Sequence, residues 1–266
     1  MTTTLISLES PPKQHYGLGH AMRAEITKLR TLRSTKITIA ALIVGSLLIT
    51  WLGNRTQQVN GPGAMGFDPT NQALSGLALG SLIIGVLGAL AATAEYGSGT
   101  IRSSLSATPR RPLFLAAKVS VVGLLSLALG ELMSFACFFV GQATLHGHAP
   151  TATLSQPGVF EAVALSGAFL GLLAIFGLCL GIIIRHTAGA ISAFVGVTFL
   201  LAVILQPLHA HGDPGRFAPE QMLANSVAAV MHQSGQFSPI TAFLWMVVYT
   251  TVALVGAGLA LALRDA

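Results

Sequence analysis

Glu131 is the ionisable residue with the most unusual surroundings, because it lies in the middle of the long apolar stretch LGELMSFACFF. If that stretch crosses a lipid bilayer, an ionised carboxylate at its centre costs at least about 2.5 kcal/mol. The side chain must then face a partner helix, a cavity or water, or stay protonated. Two interpretations follow: Glu131 lines a path through the membrane, or it forms a structural hydrogen bond with a Ser or Thr of another helix.

Two His-x-His pairs are the other candidates for chemistry: His146 with His148, and His209 with His211. Imidazole and carboxylate side chains bind zinc or copper, and Asp213 lies near the second pair. The alternative is two polar loops that share no geometry, and we favour it, so no metal site is assigned. Cys137 and Cys179 match no metal or redox spacing and are interpreted as small buried residues.

The composition indicates that these residues lie in a membrane protein. Apolar residues make up 53% of the 266 positions and charged residues only 9%, against roughly 25% in a soluble domain. The mean hydropathy is +0.73. An ordinary soluble enzyme, a disordered chain and a disulfide scaffold are therefore excluded. The net charge of +5 does not indicate a nucleic-acid partner, because the basic residues flank apolar runs.

Six segments have the roughly 20 mostly apolar residues that a membrane-crossing helix needs. They are 37–53, 73–94, 119–140, 159–184, 188–207 and 241–263. Such long runs favour helices over barrel strands, so we predict an all-α polytopic membrane protein with six transmembrane helices. Residues 1–20 are expected to form a flexible tail, and residues 21–266 a single transmembrane domain. We expect no cleavable signal peptide.

The Lys and Arg residues predict the orientation of these spans. Twelve of the fourteen fall before the first span, in the loops after the second and fourth spans, or after the sixth. Only Arg55 and Arg216 lie in the other loops. The positive-inside rule therefore places both termini in the cytoplasm.

Two further helices are predicted outside the spans, both on the cytoplasmic side. Residues 21–34 form a basic amphipathic pattern that is typical of a helix in the membrane interface, although a merely helical basic flank would look similar. In the loop after the second span, Ile101, Leu105 and Thr108 have i, i+4, i+7 spacing. Ser98 is placed to cap this short helix and Pro109 to end it. We interpret it as a helix that docks on a cytoplasmic partner.

These two stretches carry a resemblance to a known family. MRAEITKLRTLRS before the first span, and EYGSGTIR followed by ATPRR and Lys118 after the second, resemble the permease subunits of type-2 ABC exporters, especially actinobacterial ones. The similarity covers nearly the whole chain: six spans, cytoplasmic termini, an elbow helix at 21–34 and a coupling helix after span two. The resemblance implies a bacterial plasma-membrane protein whose working unit has two permeases, as a homodimer or heterodimer, and two ATPases.

The resemblance also implies which residues contact the ATPase. They are Glu95, Tyr96, Gly99, Thr100, Ile101 and Arg102. We further predict that Ile101 and Leu105 fill a groove on the ATPase as buried anchors. Relatives place re-entrant helices in the outer loop before the last span, where 219–231 has a helical pattern.

ATP is expected to bind to a separate subunit, because no Gly-Lys pair and hence no phosphate-binding loop of the Gly-x-x-x-x-Gly-Lys type occurs in this sequence. We therefore predict no catalytic residue and no cofactor in this chain. The leading hypothesis is an exporter subunit, and the alternative is a membrane sensor or immunity protein of the same fold that transports nothing. An intramembrane enzyme is disfavoured, since no His lies inside a predicted span and no His-Glu-x-x-His motif occurs.

Overall fold

The structure of this chain is a computed structural model. It describes residues 17–56, 67–107, 110–147, 149–205, 217, 219, 222–223 and 238–263. Within these ranges all the regular structure is helical. The helices are α1 (Leu18–Thr31), α2 (Arg33–Arg55), α3 (Pro69–Ala73), α4 (Leu77–Gly97), α5 (Ile101–Ala107), α6 (Arg111–Leu145), α7 (Val159–Ile184), α8 (Thr187–Val195), α9 (Leu201–Leu205) and α10 (Pro239–Leu263).

Five of the helices, α2, α4, α6, α7 and α10, are long and apolar enough to cross a membrane. This agrees with an all-α polytopic membrane protein and with five of the six predicted spans. Most of them extend past the predicted ends, because helical hydrogen bonding continues into the polar flanks. The exception is the start of the second span, predicted at residue 73. There Asp68 accepts from the backbone N–H groups of Thr70 and Asn71 and caps the separate short helix α3.

The fifth predicted span, 188–207, is a helix with an irregular centre. α8 is followed by a π-helical segment, Gly196–Leu200, and then by α9. The Thr198 hydroxyl donates to the carbonyl of Phe194 at 2.6 Å, within the turn where the hydrogen-bond pattern changes. Neither α8 nor α9 reaches span length as a regular helix, so a sixth membrane crossing stays a prediction.

The core of the bundle is built around α7, which packs against α4, α6, α8 and α10. α4 and α7 approach closely: a side chain on Gly88 would collide with the Ala174 carbonyl, and one on Gly177 with the Gly85 carbonyl. Phe194 of α8 lies directly over Gly85. Glycines recur four residues apart in the sequence at 76/80, 167/171 and 177/181, and all of them face helices of this same chain. They therefore serve packing within one subunit.

Polar contacts hold together the end of the bundle opposite α1. Gln142 of α6 donates to the Pro69 carbonyl of α3 and accepts from the Ala152 backbone N–H. Gln72 donates to the Gly53 carbonyl at the end of α2.

The predicted re-entrant helix at 219–231 lies almost wholly outside the described residues. Of its pattern the structure describes Pro219, Met222 and Leu223, and all three are buried. The predicted flexible tail, 1–20, is described only from residue 17, and α1 begins within it at Leu18.

Candidate functional site: a buried ion-pair cluster beside the loop helix

Four charged side chains meet where α1, α4 and α6 converge, next to α5. They are Glu25 and Lys28 of α1, Glu95 of α4 and Lys118 of α6, and we call them the ion-pair cluster. Two carboxylates and two ammonium groups make the cluster electrically neutral. Burial requires this balance, because an unpaired charge removed from water is costly.

Lys118 is the centre of the cluster and is only 2% exposed. Its Nζ donates to Glu25 Oε2 at 2.7 Å and to Glu95 Oε1 at 2.5 Å. A third hydrogen bond, of 3.3 Å, goes to the carbonyl oxygen of Ala91. An ammonium group has three donors, so all the hydrogen-bonding capacity of Lys118 is used inside the chain.

Lys28 connects the cluster to the loop helix α5. Its Nζ donates to Glu25 Oε1 at 2.7 Å, to Glu95 Oε1 at 3.1 Å and to Ser104 Oγ at 3.1 Å. Ser104 lies on α5. One side chain of α1 therefore contacts both the end of α4 and the loop helix that follows it.

The surroundings of the cluster favour the charged form of Lys28. The Phe114 ring lies under both lysines, with its centroid 5.3 Å from Lys118 Nζ and 5.9 Å from Lys28 Nζ. Burial lowers the pKa of Lys28, but the hydrogen bond and charge of Glu25, followed by those of Glu95, outweigh it and raise that pKa above its ordinary value.

One acceptor of the cluster has no partner. Glu95 Oε2 is buried and forms no hydrogen bond with any described residue. A cavity of about 190 Å³ lies beside the cluster, between the end of α4 and the turn from α1 to α2. Glu95, Lys118, Ser98 and Thr100 are among the residues that line it. The cluster thus has room to hydrate or rearrange, unlike a close-packed core.

The predicted loop helix is present as α5, but one of its predicted partner anchors faces inward. Ile101 is 6% exposed and belongs to the hydrophobic core of the chain. Its side chain therefore packs within this chain, and its role as an anchor for the ATPase stays a prediction. Leu105 lies on α5, with its side chain outside the described part. The exposed residues of this turn and helix include Ser98, Gly99, Thr100, Arg102, Ser103 and Ser106.

Glu95 and Tyr96, both predicted to contact the ATPase, are also held within the chain. Glu95 is 6% exposed and paired with both lysines. The Arg185 guanidinium lies 5.5 Å from the centroid of the half-buried Tyr96 ring. Both side chains position the end of α4, while the exposed residues 99, 100 and 102 stay available to a partner. The turn at Gly99 has φ +70°, a conformation that glycine adopts without strain.

Two arginines bring the carboxyl end of α10 to the same end of the bundle. Arg111, at the start of α6, donates to the carbonyls of Leu261 and Ala262, and Arg185, after α7, donates to that of Ala260. Cations at a helix carboxyl terminus satisfy carbonyls that lack an intrahelical partner. The basic residues that predict the cytoplasmic side therefore cluster with α1 and α5 at one end of the molecule.

Glu131 is separate from the cluster, on the half-buried face of α6 that crosses α7. Its side chain packs over Gly167, where a Cβ would lie 2.8 Å from Glu131 Cδ. The predicted structural hydrogen bond to a Ser or Thr does not form with the described residues. The neighbouring Ser134 bonds the Val163 carbonyl instead. The close approach of α7 thus shields one side of the carboxylate.

The histidine pairs are only partly within the described structure. His146 is exposed just after α6, while His148, His209 and His211 lie outside the described residues. The part of the chain that the structure describes contains no group of three potential metal ligands. The metal hypothesis thus gains no support.

From the sequence, Lys28 and Lys118 are basic residues that indicate membrane topology, with no predicted link to Glu25 or Glu95. A signal was present: Glu25 and Glu95 are acidic residues inside strongly basic cytoplasmic flanks, and Glu25 precedes Lys28 by three positions. The pairing across helices needed their packing, which no local pattern contains.

Comparison with known proteins gives one family. A family profile described as "ABC-2 family transporter protein" matches residues 21–211, from α1 through the predicted fifth span and including α5 and the whole ion-pair cluster. No curated protein is similar enough to match.

Proposed function

This chain belongs to the ABC-2 family of transporter proteins, as the membrane component of an ABC transporter, and from that premise we propose that it is the permease subunit of an ATP-driven exporter. It forms the substrate path and is coupled to an ATPase on a separate chain. The cytoplasmic end is the end that carries α1, α5 and the ion-pair cluster. The membrane is the bacterial plasma membrane, with both termini in the cytoplasm.

The observation that carries this proposal is the contact between Lys28 and Ser104. A short loop helix can transmit force only if it is fixed to the elements that must move. Through Lys28, α5 is attached to α1, and through Glu95 and Lys118 to the ends of α4 and α6. Closure of the ATPases would push α5 as a rigid body, and the cluster would pass that displacement to three helices together.

The exposed face of α5 is the proposed docking surface for the ATPase. Arg102 supplies a positive charge that an acidic rim on the partner can pair with, and Ser103 and Ser106 allow a close approach. Ile101, on the opposite face, anchors α5 to its own chain. This division of faces revises the sequence-based prediction without removing the coupling role.

A second permease copy is part of the proposal. α2 and α10 expose large apolar side chains along much of their length, among them Val44 and Leu48 on α2 and Val252 and Val255 on α10. In a membrane, such apolar surfaces can be covered equally well by lipid or by a second copy of the chain. A homodimer or heterodimer would place the substrate path at the seam between two copies. Glu131 is our candidate residue for that path.

The alternative function is a sensor or immunity protein of the same fold. Such a protein would keep the fold and the cluster but would need no ATPase on α5. Co-purification therefore distinguishes the two functions better than any property of the spans does.

The test is affinity purification of the tagged chain from native membranes, with mass-spectrometric detection of an ABC ATPase. We expect the ATPase with the wild-type chain and at least a tenfold loss with Arg102→Glu/Ser103→Trp. The matched control is Ser155→Trp, an exposed position at the opposite end of the bundle, which should retain it. An ATPase yield unchanged by the double substitution would contradict the coupling role of α5, and no ATPase with wild type would favour the sensor.

A further inference from the structure

An apolar cavity of about 720 Å³ lies between α1, the start of α2 and the middle of α6. Its apolar lining includes Met22 and Ile26 of α1, Ile39 of α2, and Leu124 of α6. The volume falls in the range of roughly 300–1,000 Å³ that is typical of ligand sites. The cavity is separate from α5 and from the ion-pair cluster, one to two helical turns farther along α6 from Lys118.

Two cations lie at one end of this cavity. Arg30, in the last turn of α1, and Lys36, in the second turn of α2, both line it and are both exposed. They stand on opposite sides of Leu32, where the helix breaks and the chain turns. Neither forms an ion pair within the part of the chain that the structure describes, in contrast to Lys28 and Lys118.

The charged residues that line the cavity are all basic. Besides Arg30 and Lys36, the polar lining consists of Thr35, and none of the described lining residues is a carboxylate. A ligand that fits must therefore combine an anionic group, for the two cations, with a long apolar part, for the space between α1 and α6. In a membrane-embedded chain, an anionic phospholipid has this combination.

We propose that this cavity is a binding site for one anionic phospholipid, with its phosphate held by Arg30 and Lys36 and an acyl chain between Ile26, Ile39 and Leu124. The bound lipid fills the angle between α1 and α2, and thereby supports the position of α1. Because Leu29 lines both this cavity and the smaller one beside the ion-pair cluster, occupancy supports the helix that carries Glu25 and Lys28.

The experiment measures thermal stabilisation of the purified, detergent-solubilised full-length chain by dioleoyl-phosphatidylglycerol and by dioleoyl-phosphatidylcholine. A ligand that binds only the folded state raises the melting temperature, and the shift grows with ligand concentration relative to Kd. For wild type we expect a clear shift with phosphatidylglycerol and a much smaller one with phosphatidylcholine, whose acyl chains are identical. Inorganic phosphate alone should give no shift, because it lacks the apolar part.

The decisive comparison is between two double variants of equal charge. Arg30→Ala/Lys36→Ala should lose most of the phosphatidylglycerol shift, whereas Arg23→Ala/Arg33→Ala, which removes exposed cations outside the cavity, should keep it. Leu124→Trp leaves both cations in place and narrows the cavity, so it should also reduce the shift. This variant tests the site even if Arg30→Ala/Lys36→Ala fails to fold.

Three results would overturn the proposal. Equal loss in both charge variants would mean general surface attraction, and equal shifts from the two lipids would mean that the site does not select an anionic headgroup over a zwitterionic one. A change from dimer to monomer in Leu124→Trp, measured by light scattering, would mean that a second copy covers the cavity.

Discussion

Lys118 pairs with both carboxylates of the ion-pair cluster, and its burial is unusually complete for a lysine. It is 2% exposed, and all three of its donors are used by Glu25, Glu95 and the Ala91 carbonyl. Removal of one partner from a buried ionic group leaves the remaining charge without compensation. The sequence places this residue in a basic flank, where an exposed lysine would be ordinary.

We predict that Lys118→Met destabilises the chain by about 3–5 kcal/mol, the usual cost of breaking a buried ion pair from one side. The measurement is the melting temperature of purified protein in detergent. Lys118→Met/Glu95→Gln should recover part of the loss, since it removes the carboxylate in excess and leaves Glu25 paired with Lys28. Arg33→Met, at an exposed position, is the control and should change little. Equal melting temperatures for Lys118→Met and wild type would exclude a structural role for the cluster.

The raised pKa of Lys28 predicts a pH dependence with a definite sign. Because its pKa lies higher in the folded chain than the ordinary 10.5, its contribution to stability is complete below that ordinary value. The contribution is lost as the pH rises through the folded-state pKa. The melting-temperature difference between wild type and Lys28→Met should therefore be constant from pH 7 to 9 and shrink above 10.5. A difference that grows in that alkaline range would show that the sign is wrong.

At the scale of single residues, the sequence predicted locations better than contacts. It placed Glu95, Ile101 and Arg102 correctly in and before a short helix after a span. It could not separate the inward residues Glu95 and Ile101 from the outward Arg102. That distinction depends on how α5 packs against α1, a contact between residues more than 70 positions apart along the chain, such as Lys28 and Ser104.

At the scale of the helices, the closest packing is between α4 and α7. Gly88 faces the Ala174 carbonyl and Gly177 faces the Gly85 carbonyl, so backbone rather than flexible side chains limits the space. Apolar length predicts that these helices exist, and recurring glycines indicate close packing. Only the folded bundle identifies which helices pair.

We predict that Gly88→Ala forces α4 and α7 apart and destabilises the chain by about 1–3 kcal/mol, the usual cost of overpacking. Gly258→Ala on α10 is the matched control, because its nearest neighbour is the flexible end of Leu115 at 3.7 Å. Melting temperatures in the same detergent provide the measurement. Similar values for both variants would argue against a close α4–α7 contact.

Helix ends were harder to predict than helix centres. The sequence gives the fifth span as one run, 188–207, whereas the helix contains a π-helical segment at Gly196–Leu200. It also starts the second span at residue 73, the last residue of α3, whereas α4 begins at Leu77. Hydropathy reports how apolar a segment is, and it does not detect a π-helical segment or a helix cap, which are differences in hydrogen bonding.

At the scale of the whole molecule, the basic residues that the positive-inside rule uses pack together at one end of the bundle. α1, α5, the start of α6 and the carboxyl end of α10 meet there through the ion-pair cluster and through Arg111 and Arg185. The orientation of that end toward the cytoplasm is a prediction from charge alone.

This orientation is testable with single cysteines, because the native Cys137 and Cys179 are both buried. In intact cells, Ser155→Cys should react with an impermeant thiol reagent and Ser106→Cys should not. Both positions are exposed, so accessibility within the fold is matched. Labelling at 106 with protection at 155 would invert the topology and remove α5 from the cytoplasm.

The central claim is that the exposed face of α5 contacts an ABC ATPase, and site-specific photocrosslinking tests it most directly. A photoreactive amino acid is placed at Ser103 or, as the control, at Ser155, and crosslinked products from living cells are identified by mass spectrometry. We predict a crosslink to an ABC ATPase from position 103 and none from position 155. A folded, membrane-inserted chain that gives no ATPase crosslink from position 103 would contradict the account.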